Sequence, residues 1–236
     1  MTRAVVFDLA GTLTVPMPPM DPGEPWRRYA AAAAPADPAE LLARLIAGER
    51  DAFLACRDGG LSFTFGRILD QAGVSPLPAA VAAYRACWEP YTRCVADAAA
   101  VLSALRDRGL AIGLLSNTLW PVRWHHEFLA RDGLLDLFDA MVFSSELPVA
   151  KPHPDAFRAV LDRLGGRAPA DCLFVGDRMF EDISGADGVG MQTVALPDLT
   201  VADEHRVLVD VEPTYRISRL SEVLDVVDRW LARSPS

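Results

Sequence analysis

The sequence predicts an α/β fold in which a parallel sheet is covered on both faces by helices, with a helical segment inserted after the first strand. From residue 97 onward, short runs rich in β-branched and aromatic residues alternate with segments of helical periodicity. Such alternation is typical of a parallel sheet. A first run of the same kind at residues 4–7 is separated from this stretch by a long, purely helical pattern. That separation far exceeds the dozen or so residues that a parallel crossover needs.

The first third of the chain contains one predicted strand, a linker and a set of helices. The strand at residues 4–7 ends at Asp8 and a glycine turn. Five prolines at 15–25 predict a stiff linker that leaves the sheet. Three amphipathic patterns follow: one around residues 41–46 that breaks at 57–60, one at 65–69 that ends at Gly73, and one that begins at Pro78.

The rest of the chain predicts the remaining strands at residues 110–115, 140–143, 172–175 and 192–195. We expect Asp97 to cap the helix that Gly109 ends, and Ser218 to cap the last helix. Further helices are predicted at about 120–131 and 157–164. The predicted organisation is therefore a Rossmann-like core formed by residues 1–15 and 95–236, with a helical subdomain at 16–94.

Composition excludes several classes of function. The chain has 236 residues, of which 51% are hydrophobic, and a formal net charge of −9, so a nucleic-acid backbone is not an expected partner. No apolar run approaches the ~20 residues of a membrane span, and the N-terminus does not resemble a signal peptide. The four cysteines form no Cys-x-x-Cys pair. We expect a cytoplasmic protein with reduced cysteines, no membrane contact, and either a monomeric or a homodimeric state.

Polar side chains follow several of the predicted strands and are expected to meet at one edge of the sheet. They are Asp8 after the first strand, Ser116 and Asn117 after the second, Lys151 before a helix, and Asp177 with Asp182 after the strand at 172–175. Carboxylate oxygens are ligands that Mg²⁺ prefers. A hydroxyl, backbone amides and an ammonium can hold phosphoryl oxygens as charge develops. The pattern predicts a site for a phosphoryl group and a hard cation.

These stretches resemble the four motifs of the haloacid dehalogenase superfamily, and the resemblance covers essentially the whole chain. It implies that Asp8 is a nucleophile and that Ser116, Asn117 and Lys151 bind the phosphoryl group, with Lys151 also taking part in catalysis. It implies Mg²⁺ as cofactor and a small molecule as substrate. The implied Mg²⁺ ligands are Asp8, Asp177 and the backbone carbonyl of Ala10, with Asp182 behind them. The position of the helical insertion resembles that of a C1-type cap.

The first motif departs from the phosphatase pattern at Ala10, where most phosphatases of the superfamily carry a second aspartate. That carboxylate protonates the leaving oxygen and then activates water. Such acid–base help contributes typically ~10²–10⁴-fold to the rate. His125, which follows the second motif, is a candidate substitute. The leading interpretation is an Mg²⁺-dependent phosphatase that acts on a small phosphorylated metabolite, with uncertain efficiency because of Ala10.

Two alternatives remain open. One is a phosphate- and metal-binding protein that has lost efficient turnover. The other is an enzyme that cleaves C–P or C–halogen bonds. The Asp-x-Ala-Gly-Thr variant resembles the phosphonoacetaldehyde hydrolase branch, but the only lysine of the chain, Lys151, lies outside the predicted cap. The branch of dehalogenases works without metal, whereas the Asp177 and Asp182 pair is intact here.

The segment at residues 57–64 resembles the loop that selects substrates in C1-capped relatives. Its candidate residues are Arg57, Gly59, Gly60 and Phe63. For Phe63 we favour packing within the cap over a substrate contact. Trp120 and Trp124 follow the second motif, and we expect them to pack rather than to bind substrate.

Overall fold

The computed structural model of the chain describes residues 3–16, 21, 23–197 and 207–232. Within these ranges a parallel sheet has the strand order β3-β2-β1-β4-β5-β6, which is the order of a Rossmann-type sheet. The predicted parallel α/β fold is therefore confirmed. Its strands are β1 (Ala4–Phe7), β2 (Ala111–Ser116), β3 (Ala140–Phe143), β4 (Cys172–Gly176), β5 (Gln192–Ala195) and β6 (Tyr215–Arg216).

The helices fall into two groups, one before β2 and one that alternates with the strands. The first group comprises α1 (Glu24–Ala33), α2 (Pro38–Gly59), α3 (Phe65–Gln71) and α4 (Pro78–Trp88). The second comprises α5 (Ala98–Asp107), α6 (Val122–Arg131), α7 (Pro154–Arg163), α8 (Gly185–Gly188) and α9 (Val223–Ala232). Part of the predicted proline-rich linker, residues 17–20 and 22, lies outside the described residues.

Strand β1 is central, and its side chains divide between two hydrophobic clusters. Val5 and Phe7 face a cluster with residues of α5 and α9, whereas Ala4 and Val6 face a cluster with residues of α7 and α8. Successive side chains of a strand point to opposite faces, so a strand without polar residues requires helices on both sides. All four β1 side chains are fully buried, and this fixes the strand end at which Asp8 follows.

The helical insertion has an aromatic cluster of its own, which also includes a residue of α6. Trp26, Phe65 and Tyr84 pack with ring centroids 4.6–5.4 Å apart, and Trp124 of α6 joins them 5.4 Å from Phe65. The segments that lead into and out of the insertion lie side by side, since Val15 N donates to Arg93 O and Val95 N donates to Leu13 O. The expected packing role of Trp124 is confirmed, as its side chain is buried.

Two sequence expectations about helix caps are wrong. Asp97 occupies the N-cap position of α5, but its side chain makes no capping hydrogen bond. Ser218 does not cap the last helix. A short 3-10 turn at Leu220–Glu222 precedes α9, and the Glu222 carboxylate reaches back to accept from Ser218 N at 2.8 Å. Strand β6 was not predicted because two residues are too few to form an apolar run.

The predicted loop at residues 57–64 is shorter in the structure. Arg57 and Gly59 belong to the last turn of α2, which ends only at Gly60 in the left-handed conformation. A left-handed glycine after the last helical residue is a common way to end a helix, and the second glycine of the pair supplies it here. The connecting loop therefore spans residues 60–64.

Among the described residues, the helices include none that combines the length and apolar character required to cross a membrane. The four cysteines are free thiols, of which Cys87 and Cys172 are buried and Cys56 and Cys94 are partly exposed. Burial raises the pKa of the Cys56 and Cys172 thiols to about 11. Both thiols are therefore protonated at neutral pH and poorly nucleophilic.

Candidate active site

The carboxyl ends of β1, β2 and β4 bring three sequence-predicted residues to one edge of the sheet. Asp8 follows β1, Ser116 is the last residue of β2, and Asp177 follows β4. Strand β1 pairs with both neighbours, and Asp8 N donates to Val175 O at 2.9 Å. The three side chains are 2–6% exposed. The sheet therefore places them together in a nearly buried setting.

Lys151 is the buried centre of this edge. Its Nζ donates to Asp8 Oδ1 and to Asp182 Oδ1, both at 2.6 Å. Burial alone would lower the Lys151 pKa, but the charges of Asp182 and Asp8 outweigh it and raise the pKa above its usual value. Burial raises the pKa of Asp182, an effect that Lys151 opposes. The lysine is therefore an ammonium that holds the two carboxylates in place.

Asn117 positions the lysine. Its Nδ2 donates to Lys151 O, and its Oδ1 accepts from Lys151 N, both at 2.8 Å. Both ends of the amide are thus engaged by the Lys151 backbone, beside the cis peptide bond between Lys151 and Pro152. The sequence suggested that Asn117 binds phosphate, whereas the geometry gives it the task of fixing the segment that carries Lys151.

Two glycines allow backbone to approach the carboxylates closely. A Cβ on Gly176 would lie 2.5 Å from the Asp182 carboxyl carbon. A Cβ on Gly11 would overlap the Asp177 carboxylate, and Gly11 also has a φ of +85°. Asp182 itself lies in a π-helical turn, Met179–Ser184, where its Oδ2 accepts from Arg178 N at 3.0 Å. The Gly-Asp sequence and the first-motif glycine are therefore sterically required here.

The three carboxylates form a possible metal site. One oxygen atom each from Asp8, Asp177 and Asp182 lies within 4.8 Å of the others. Three carboxylates face one buried ammonium, and the partly exposed Arg178 guanidinium lies 4.0 Å from Asp177, so the cluster keeps a net negative charge that a divalent cation would offset. An all-oxygen donor set suits hard cations such as Mg²⁺ and disfavours soft metals. The donor chemistry therefore fits the expected cofactor.

A cavity of about 250 Å³ opens beside this edge and extends toward the helical insertion. Ala10, Gly11, Ser116 and Asn117 line the end nearest the carboxylates. Ala10 is exposed, so its methyl group stands where a longer side chain would reach into the cavity. The position that carries an aspartate in most phosphatases of the superfamily is thus accessible but has no titratable group.

His125 also lines the cavity, but its environment does not suit a proton donor. Burial lowers its pKa to about 3, so the ring is neutral at physiological pH. The imidazole stacks on Phe143 with a centroid distance of 4.6 Å, and its Nε2 is 2.9 Å from Thr118 Oγ1. This geometry favours a packing and hydrogen-bonding role over the proton-donor role that the sequence suggested.

The loop at residues 60–64 contacts the segment that precedes Lys151. Ala150 N donates to Gly60 O at 2.8 Å, and Ser62 N donates to Pro148 O at 3.1 Å. Phe63 is partly buried against the aromatic cluster of the insertion, in agreement with the packing interpretation. Arg57 is exposed and pairs with Asp58 at 2.6 Å. Of the candidate loop residues, Gly60 is the one that hydrogen-bonds to the segment preceding Lys151.

Sequence reasoning missed part of the cavity wall. Glu49 of α2, Tyr91 and Arg178 line it. Arg178 directly follows Asp177, so its position in the fourth motif was an available signal. Glu49 lies between polar and small residues of a helix, and nothing in the sequence indicated that it would line a cavity. Burial raises the Glu49 pKa, and its Oε2 accepts from Trp26 Nε1 at 2.7 Å.

Comparisons with known proteins identify the family of the chain. The family model described as haloacid dehalogenase-like hydrolase matches residues 2–190. The chain is 35% identical over 173 residues to a glyceraldehyde 3-phosphate phosphatase of Methanopyrus kandleri, covering 72% of each chain. It spans 53% of the Methanocaldococcus jannaschii protein of the same name and 48% of that of Pyrococcus abyssi.

Solved structures show the same fold. A HAD phosphatase from Thermococcus onnurineus superposes with a TM-score of 0.64 at 23% identity, over 96% of this chain and 98% of that one. The L-2-haloacid dehalogenase of Xanthobacter autotrophicus gives 0.64 at 21% identity, over 97% and 99%. At these sequence identities the solved structures support the fold alone. Membership of the family follows from the family model, which matches residues 2–190. The chain belongs to the haloacid dehalogenase-like hydrolase family.

Proposed function

We propose that this chain is an Mg²⁺-dependent phosphatase that acts on a small phosphorylated metabolite. The observation that carries the proposal is the buried network in which Lys151 holds Asp8 and Asp182 at 2.6 Å, beside Asp177 and an open cavity. Relatives with phosphatase names, such as the Methanopyrus kandleri protein and a ribulose-1,5-bisphosphate 5-phosphatase of Halopiger xanaduensis that is 31% identical, support this choice.

The proposed reaction has two steps. An Asp8 carboxylate oxygen attacks phosphorus while the bond to the leaving oxygen breaks, which gives an aspartyl-phosphate. Water then attacks that phosphorus and releases inorganic phosphate and Asp8. In this proposal Lys151 and the Ser116 hydroxyl would hold phosphoryl oxygens as charge develops. A Mg²⁺ ion held by Asp8, Asp177 and the Ala10 carbonyl would neutralise phosphoryl charge, with Asp182 orienting the site.

Two alternatives receive less support. A Schiff-base mechanism needs a neutral amine, but Lys151 is buried between two carboxylates with a raised pKa, and the chain has no other lysine. A metal-free dehalogenase has no evident use for the cluster of Asp8, Asp177 and Asp182. A protein that binds phosphate without efficient turnover remains the second candidate, because Ala10 removes the usual acid and base.

The test combines turnover with metal binding. We expect phosphate release from a panel of phosphorylated metabolites to require Mg²⁺ and to be abolished by Asp8→Asn. Independently of turnover, Mg²⁺ at 100 times its Kd should stabilise the fold by about 2.7 kcal/mol, and Asp177→Asn should remove that shift. Phosphate release at the wild-type rate by Asp8→Asn would refute the covalent mechanism. A Mg²⁺ shift without release of phosphate from any substrate would favour the binding protein.

A further inference from the structure

The cavity beside the catalytic edge has two unlike ends. Near the sheet it is lined by backbone and small side chains, including Gly11 and Ser116. Toward the insertion its wall is formed by aromatic rings, which we call the aromatic wall: Tyr84, Trp88, Tyr91, Trp120 and Phe128. A phosphoryl group at the first end would direct its leaving group toward the second.

The aromatic wall favours a flat apolar group. Trp120 packs edge-on against Trp88 and Phe128, with centroid distances of 5.5 and 6.0 Å. The Tyr84 hydroxyl accepts from Trp120 Nε1 at 3.3 Å, so this hydroxyl and this indole N–H are already hydrogen-bonded to each other within the wall. A substrate ring can pack edge-to-face or offset against such rings. Glu49 and Arg178 are the charged residues of the cavity lining, so a sugar would depend on few polar side chains to replace its hydration, whereas a ring can use the aromatic faces.

Ala10 supplies an independent argument about the same leaving group. With no carboxyl group at this position, the leaving oxygen departs without a proton from residue 10. A phenol ionises near pH 10, whereas water, a guide to aliphatic alcohols, ionises near 15.7. A phenolate is thus far more stable as a leaving anion than an alkoxide. The absence of a proton donor at residue 10 and the aromatic wall therefore both favour an aromatic leaving group such as a phenolate.

We propose that the preferred substrates are aryl phosphates, with the aromatic ring of the leaving group seated against the aromatic wall. This proposal rests on the proposed phosphatase function and narrows its substrate class. In the first step the bond from Asp8 to phosphorus forms while the bond from phosphorus to the ring oxygen breaks. The phenolate leaves with the electron pair and takes its proton from solvent.

The experiment separates the two requirements by comparing three compounds with the wild-type protein and Mg²⁺. Phenyl phosphate has a ring and a stable leaving group, acetyl phosphate has a stable leaving group without a ring, and benzyl phosphate has a ring on an alkoxide. We expect phenyl phosphate to show a KM at least tenfold below that of acetyl phosphate, because a filled apolar pocket gives discrimination of about that size or more. Benzyl phosphate should bind comparably to phenyl phosphate but turn over more slowly.

Matched variants locate the effect. Tyr91 is partly exposed and lines the cavity, so Tyr91→Leu should reduce the ratio of kcat/KM for phenyl over acetyl phosphate. Phe53→Leu is the control, because Phe53 is 53% exposed on α2 and is not among the cavity-lining residues; its ratio of kcat/KM values should equal that of the wild type.

Equal KM values for phenyl and acetyl phosphate, or a Tyr91→Leu ratio unchanged from wild type, would overturn the aryl assignment while leaving the phosphatase proposal intact. Failure of all three compounds to release phosphate would instead count against the phosphatase function itself.

Discussion

Replacing Lys151 by methionine tests the electrostatic centre of the site. The substitution keeps much of the side-chain volume but removes the ammonium that contacts Asp8 and Asp182 at 2.6 Å. The three side chains are 1–8% exposed, so water cannot replace the lost charge without local opening. Removing one partner of a buried ion pair typically costs 3–5 kcal/mol. Because two carboxylates are stranded, we expect a loss of about that size or somewhat more at pH 7.

The assay is equilibrium unfolding in urea. The m-value of each variant, which is the slope of the unfolding free energy against urea concentration, is compared with that of wild type so that the midpoints can be compared. The double variant Lys151→Met/Asp182→Asn should recover part of the loss, because it strands one carboxylate instead of two. Arg158→Met is the control: it breaks the ion pair of Arg158 with Asp155, whose side chains are 65% and 60% exposed, and it should leave stability nearly unchanged.

The difference in unfolding free energy between wild type and Lys151→Met should also depend on pH, and the direction of that dependence is a further test. Burial already raises the pKa of Asp182, and loss of Lys151 raises it more. A carboxyl group with a raised pKa in the folded state destabilises the fold as pH rises above the unfolded value near 3.9. The stability gap between wild type and Lys151→Met should therefore narrow on acidification from pH 7. A wild-type urea midpoint for Lys151→Met, or a gap that widens in acid, would refute the reasoning.

Three other predictions concern the cavity. Ala10→Asp should raise turnover of alkyl phosphates toward the low end of the ~10²–10⁴-fold range of acid–base catalysis, as measured by kcat/KM; efficient alkyl turnover by wild type with no gain would show that another group supplies the proton. Because burial lowers the His125 pKa to about 3, the unfolded chain binds the extra proton below about pH 6.5, so stability should fall on acidification by up to about 1.4 kcal/mol per pH unit; His125→Gln should flatten that slope in urea titrations, and an unchanged slope would contradict the assignment. Burial raises the Glu49 pKa, so Glu49→Gln should remove a destabilisation that grows as pH rises above about 4.3, seen as a smaller decline of Tm between pH 4 and 7; a variant that declines as steeply as wild type would contradict it.

The parts of the molecule that sequence predicts well are those in which local pattern and function coincide. Asp8 and Asp177 follow apolar strands directly, so parallel topology alone brings them to one edge. Lys151 was expected at this edge only together with the other polar stretches and their resemblance to the family motifs, because a lysine before a proline is by itself an ordinary loop residue. The helix ends at Asp97 and Ser218 were wrong because capping depends on a few torsion angles and on where Glu222 reaches, which residue type does not determine.

The role of Asn117 and the aromatic wall could not be read from sequence for a different reason. Asn117 contacts the backbone of a segment 34 residues away. The wall joins rings from α4, the turn after it, the segment before α6 and α6 itself only when the insertion packs on the core. Residues 120 and 124 were expected to pack, and Trp124 does so, but Trp120 also faces the cavity. Periodicity predicts that such residues are inward-facing without saying which space they enclose.

Two of the contacts between the insertion and the core lie at its base and at the loop that follows α2, and the second of them is close to Lys151. At its base, Val15 pairs with Arg93 and Val95 with Leu13. At the far end of α2, Gly60 O accepts from Ala150 N at 2.8 Å, one residue from the lysine that holds Asp8. A Cβ on Gly60 would approach His153 to 3.2 Å, and the residue has a φ of +62°, so a larger side chain there would strain this contact. The insertion is therefore joined to the core, in part, through the same backbone segment that carries Lys151.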